Sequence, residues 1–78
     1  MYYVYVLLDD FGKTYKGMTT NIDRRLHEHI KGYTKSTKQL KNPKVVYTEE
    51  YPDRVNARQR EKYLKSAAGR KFLKDKLQ

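Results

Sequence analysis

Apolar residues run almost without interruption from Tyr2 to Leu8, and the run is rich in β-branched and aromatic side chains. That composition predicts a strand. Tyr3, Tyr5 and Leu7 share one face; Tyr2, Val4, Val6 and Leu8 share the other, so the strand is expected to be covered on both sides. Asp9-Asp10-Phe11-Gly12 carries turn chemistry, and Lys13 to Gly17 returns as a second strand, giving an antiparallel hairpin. The period then changes. Ile22, Leu26, Ile30 and Tyr33 recur at helical spacing, with Thr20 or Asn21 as cap, Asp23 in the first turn and Gly32 as a stop. Pro43 precedes a third strand, Lys44 to Glu49. Asp53 caps a second helix whose apolar side carries Ala57, Leu64 and Ala68, while Arg54, Arg58, Lys62 and Lys65 point elsewhere. Ser66-Ala67-Ala68-Gly69 marks a break. A last short helix follows, with Phe72, Leu73 and Leu77 inward and Arg70, Lys71, Lys74 and Lys76 exposed. The order β-β-α-β-α-α predicts one α/β (α+β) domain over residues 1–78, a small three-stranded antiparallel or mixed sheet flanked by helices.

Composition narrows this picture. A chain of 78 residues buries only a small core. With no cysteine it has neither a disulfide framework nor a thiolate metal site. No apolar run approaches the roughly 20 residues needed to span a bilayer, and the N-terminal run lacks a basic leader and a small-residue cleavage site, so it reads as a strand and not a signal peptide. The expected setting is the cytoplasm. The net charge of +9 is unevenly placed. Residues 1–30 hold four basic and four acidic side chains, so the whole surplus lies in residues 31–78. A basic second half predicts a polyanionic partner, nucleic acid first. An acidic membrane surface fits less well, because the basic residues are spread over several elements.

The candidate chemistry begins between Tyr15 and His29. A strand ends at Gly17, a polar turn follows, and the next helix carries Arg25 and His29 four residues apart on one face. This forms a compact cationic patch suited to a phosphate. Tyr5 and Tyr15 are expected on one face of the hairpin, as a cross-strand packing pair or as part of that patch. The lysines at 31, 35, 38, 41 and 44 are interleaved with hydroxyl residues and form either a phosphate-tracking loop or a solvated surface loop. Glu61 is the odd residue of the second helix. A carboxylate in line with an apolar stripe is costly unless something charged meets it, which leaves a salt bridge to an arginine or a metal site.

Taken together, these residues resemble the GIY-YIG nuclease family, in particular its small single-domain branch related to the nuclease module of the bacterial excision-repair incision subunit. Tyr3-Val4-Tyr5 stands where the family has Gly-Ile-Tyr, and Tyr15-Lys16-Gly17 where it has Tyr-Ile-Gly. Arg25 follows Tyr15 by ten residues and His29 follows by four more. Glu61 lies in a segment resembling the family's glutamate-bearing helix. The resemblance covers nearly the whole chain, Tyr2 to Leu77. It implies a divalent-metal-dependent endonuclease of low sequence specificity, with a DNA repair or recombination-type role. Its substrate would be DNA, branched or single-stranded forms included, and its cofactor Mg²⁺ or Mn²⁺ held by Glu61. It implies that Arg25 holds the phosphate, Tyr5 takes or relays a proton, and Tyr15 and His29 orient water or phosphate. Gly17 keeps the strand end open to substrate, and Lys16, Gly17, Arg24, Lys31, Lys35 and Lys38 line the nucleic acid. The chain departs from the family at Tyr3 and Lys16, at Met18 where members often carry lysine, and at Leu73, where many place an asparagine. That last departure implies the alternative, an inactive nucleic-acid-binding module of the same fold.

Overall fold

The computed structural model describes residues 1–30 and 40–77. Its elements are β1 (Tyr2–Leu8), β2 (Thr14–Thr19), α1 (Ile22–Ile30), β3 (Lys44–Tyr51), α2 (Arg54–Lys65) and α3 (Ala67–Lys76), in the expected order. The second and third strands run further than their apolar patterns predict. Met18 and Thr19 pair with Val4 and Tyr3, and Glu50 and Tyr51 pair with Tyr3 and Tyr2 on the other side. The strand order is β2-β1-β3 and both pairings are antiparallel. The β1–β3 register shifts between Val6 and Leu7, a local irregularity in the ladder.

The central strand, apolar on both faces, is buried on both: Val4, Tyr5, Val6 and Leu7 are all buried. Val4 and Val6 form the core with Ala57 and Leu64 of α2 and Leu73 of α3. Met18, paired with Val4, packs against the same cluster. Strand alternation sends Tyr5 and Leu7 to the opposite face. On α1, Ile22 and Leu26 are half-buried, as a helical stripe requires. The rest of that stripe, the Ile30 side chain and Tyr33, and the Gly32 stop lie outside the described residues.

The expected apolar side of the second helix needs one correction. α2 stops at Lys65 because Ser66 takes an extended backbone, φ −76° and ψ 168°. The Ser66 amide donates to the Tyr63 carbonyl, 3.0 Å, while its hydroxyl accepts from the Gly69 amide, 3.2 Å. One serine thus ends α2 and caps α3. Ala68 leaves the α2 stripe and is exposed, and the buried position is Gly69. A Cβ added to Gly69 would overlap the Tyr63 carbonyl oxygen and stand 2.5 Å from the Leu64 Cα. Only glycine lets the two helices turn this closely on each other.

Asp9 fixes the hairpin end. Its carboxylate accepts from the amides of Phe11 at 2.9 Å, Lys13 at 2.7 Å and Lys41 at 3.2 Å. The first two are the local bonds that turn chemistry predicts. The third ties the hairpin to the segment entering β3. The Asn42 amide adds a bond to Asp10 at 2.9 Å.

Candidate active site

The site begins on the central strand. Tyr5 pairs with Gly17 in the β1–β2 register, and its ring lies across the space above that glycine. A Cβ at Gly17 would sit 2.5 Å from the Tyr5 hydroxyl oxygen and 2.6 Å from Cζ. The space that glycine leaves is therefore filled by Tyr5 itself, which corrects the expectation that it stands open to substrate. Tyr15 joins from the diagonal position, its ring centroid 6.3 Å from that of Tyr5 at an interplanar angle of 37°.

The corner after β2 delivers the arginine. Thr19, buried, accepts the Asn21 amide on its hydroxyl at 3.1 Å. Asn21 is the cap of α1, accepting the Arg24 amide at 3.0 Å. Asp23 stands in the first turn, where a negative charge suits the helix dipole. One turn into the helix, Arg25 reaches Tyr5 and hydrogen-bonds its hydroxyl oxygen. Arg25 also pairs with Glu28 at 3.5 Å, an ionic partner that the sequence reading passed over. Arg24 points outward and meets the same carboxylate at 3.7 Å. His29 lies in the last turn of α1, and its side chain is outside the described residues, as are Lys31, Lys35 and Lys38.

Glu61 comes from α2 and is buried, with 6% of its surface exposed. Its two oxygens accept from Arg58 at 2.7 Å and from Lys65 at 3.1 Å. These cations were expected to point away. Their helical offsets of three and four residues, with flexible stems, bring them back to the carboxylate instead. The salt bridge to an arginine is thus realised. Burial works against the Glu61 charge, but the Arg58 and Lys65 bonds outweigh it and hold its pKa below the usual carboxylate value. At neutral pH it is an anion.

The phenol opposite behaves in the reverse sense. Burial pushes Tyr5 up to about 12, against the pull of the Arg25 hydrogen bond, with Tyr15 and Glu61 adding to the rise. A neighbouring cation is what would bring this phenol down; Arg25 is present, and burial outweighs it. Arg25 is raised in turn, chiefly by the Tyr5 bond, and stays a cation. Tyr5, Tyr15, Arg25 and Glu61 therefore share one electrostatic neighbourhood, although they derive from four elements.

Lys16 departs from this group. It shares its face with Met18 and not with Gly17. Its ammonium donates to the Thr14 hydroxyl at 2.8 Å.

Sequence reasoning missed a second polar cluster altogether. Glu49 accepts from the hydroxyls of Tyr47 and Tyr51, the latter at 2.6 Å, and from Arg60 at 2.9 and 3.1 Å. The Arg60 guanidinium lies 4.7 Å from the Tyr63 ring centroid and 4.9 Å from that of Phe72. The available signal was the Tyr-x-Glu-x-Tyr spacing, which puts all three on one strand face. The cluster ties β3 to α2 and α3.

A family model described as the GIY-YIG catalytic domain matches residues 1–74. Among curated relatives, a UPF0213 protein of Limosilactobacillus reuteri is 35% identical over 80 residues, covering 95% of this chain and 83% of that protein. A UPF0213 protein of Natronomonas pharaonis is 39% identical over 66 residues, covering 83% and 78%. The solution NMR structure of a UPF0213 protein from Bacillus halodurans superposes with a TM-score of 0.58 at 32% identity, covering 96% of this chain and 84% of that one.

Proposed function

The chain belongs to the GIY-YIG catalytic-domain family, and from that premise we propose that it hydrolyses phosphodiester bonds of DNA, with little sequence preference, in a repair- or recombination-type role. The observation that carries this reading is the meeting of Arg25 with Tyr5 beside an ionised, buried Glu61. Arg25 has five N–H donors in a planar fork. It can keep its bond to Tyr5 and still offer donors to a phosphate, where charge-assisted bonds strengthen as charge develops in the transition state. Tyr5 positions the attacking water through its hydroxyl and accepts or relays the proton. Tyr15, ring against ring, confines that water to one side.

Among the described residues no three His, Cys, Asp or Glu side chains stand together. One buried carboxylate is a donor that a hard cation of the Mg²⁺ or Mn²⁺ type could use, such ions being commonly bound through one or two carboxylates with waters and substrate oxygens. Glu61 would be that carboxylate. Arg58 and Lys65 are half-exposed and long enough to swing aside from it. When bound, the cation would supply Lewis-acid stabilisation of the phosphate and the leaving oxygen.

A specific observation favours a second reading, a binding module without turnover. Leu73, at the position where many members carry asparagine, is 4% exposed and packed into the core, so no polar group serves the site from there. The two readings separate in one assay. Supercoiled, single-stranded and branched DNA are incubated with the protein and Mg²⁺, Mn²⁺ or EDTA, beside Glu61→Ala. Cleavage that stops in EDTA and in Glu61→Ala supports the nuclease. Cleavage that survives both overturns the mechanism, and binding without cleavage establishes the silent module.

A further inference from the structure

We infer that the groove between β2 and α3 is a second phosphate-backbone track, one that carries the nucleic acid away from Arg25 and Glu61 along α3. It is an open groove of ≈ 530 Å³, with Thr14 and Lys16 on one wall, Arg70 and Lys74 on the other, and Leu73 and Leu77 between them. Among the described residues three cations line it and no acid does. The Lys16 ammonium is lowered by burial and by the charges of Arg70 and Lys65, so these groups feel one another across the groove. Like charges gathered without a counter-ion raise the free energy of the empty groove. A polyanion lying in it removes that cost and releases counterions.

Two features identify the occupant as a nucleic-acid backbone. Lys65, whose charge reaches Lys16, also hydrogen-bonds Glu61. Lys65 therefore relates the groove to Glu61 of the candidate active site, and in this respect the inference rests on the nucleic-acid reading above. A helix that binds an anionic membrane turns its apolar side outward between flanking cations. Here α3 sends Leu73 into the core beside Val4 and Val6, which leaves Leu77, 37% exposed at the helix end, as a small apolar spot and not a stripe. The track meets backbone phosphates and no base edges, so it adds affinity and direction without adding sequence preference.

The test is binding, measured in EDTA so that cleavage plays no part. Anisotropy of a short fluorescein-labelled duplex DNA is followed from about 50 to 200 mM salt. The proteins compared are the wild type, Arg70→Gln with Lys74→Gln, and Arg54→Gln with Lys62→Gln, which removes the same charge from exposed positions of α2 outside the groove. Each lost phosphate contact removes about 0.9 from the slope of log K against log salt, so the groove double should flatten the fall in affinity over this range by about tenfold. The control double should keep the wild-type slope. Equal slopes in the two doubles, or a wild-type slope in the groove double, overturn the track. So does tighter binding to phosphatidylserine–phosphatidylcholine vesicles than to DNA. If circular dichroism shows the groove double unfolded, Lys16→Gln on the opposite wall reads the same slope. A chain that binds through this groove but never cleaves leaves the inference standing and removes the nuclease reading alone.

Discussion

Tyr5 sets the terms of chemistry at the site, because its ring, its hydroxyl and its proton are each fixed by a different neighbour or by burial. Gly17 gives the ring its space, Arg25 holds the oxygen, and burial keeps the proton on. At pH 7 a phenol with a pKa of about 12 is ionised in about one molecule in 10⁵. If Tyr5 is the proton acceptor, its ionised fraction grows about tenfold for each pH unit up to about 12. The single-turnover cleavage rate of the wild type should therefore climb through the neutral and mildly alkaline range. Tyr5→Phe keeps the buried ring and loses only the hydroxyl. It should lower the rate by about 10²–10⁴-fold and abolish the climb. A flat wild-type profile, or a phenylalanine variant with the same slope, removes Tyr5 from proton transfer and leaves it as a positioning residue. Lys16 illustrates a residue whose place follows from its register. One position before Gly17, it faces away from Tyr5 and toward α3, so it belongs to the groove and not to the phenol.

Among the elements, those whose order depends on local chemistry could be read directly from the chain. The unbroken apolar run along Tyr2–Leu8 revealed a strand buried on both faces, and Asn21 and Asp53 cap the helices they precede. The pair Tyr5 and Tyr15 could be placed on one face because a hairpin fixes its own diagonal neighbours. What escaped the sequence depends on where elements settle in space. Arg60 reaches Glu49 across eleven residues only once α2 lies on the sheet, and Lys41 reaches Asp9 across thirty-two. Side-chain reach also defeats a helical projection, which tracks Cβ directions and sent Arg58 and Lys65 the wrong way. The α2–α3 corner is the sharpest case, since Ser66 announced a break but the depth of Gly69 follows from the packing that the break permits. Gly69→Ala should overpack this corner at a cost of about 1–3 kcal/mol. In a domain of this size each kcal/mol lowers Tm by about 4–8 °C. Differential scanning calorimetry checks this, with exposed Ala68→Ser as the comparison. An unchanged Tm for Gly69→Ala would mean that the two helices can separate without loss.

Among the described residues the core cluster holds five buried apolar side chains, which is little for a fold without disulfides. Polar groups consequently carry part of its stability, and they do so in one sense. Asp9, Glu49 and Glu61 are all held below the usual carboxylate range. Burial opposes each charge. For Asp9 the backbone amides of Lys41, Lys13 and Phe11 overcome it; for Glu49, Arg60 and then Tyr47 and Tyr51; for Glu61, Arg58 and Lys65. A carboxylate whose folded-state pKa is depressed contributes stability above its unfolded-state pKa and loses it as pH falls through the folded value. Unfolding free energy should therefore be level from neutral pH down to about 5 and fall below that. Glu49 is the place to test it, because it lies apart from the groove and the candidate site. Glu49→Gln removes the charge that holds Arg60, Tyr47 and Tyr51 together, at a cost of about 2–3 kcal/mol at pH 7. In acid the wild-type carboxylate is itself protonated, so the gap between the two proteins should narrow as pH falls below about 4. Urea unfolding at neutral and acid pH measures both gaps. A gap of constant size would show that Glu49 acts through its shape and hydrogen-bond count, with its charge contributing nothing to the fold.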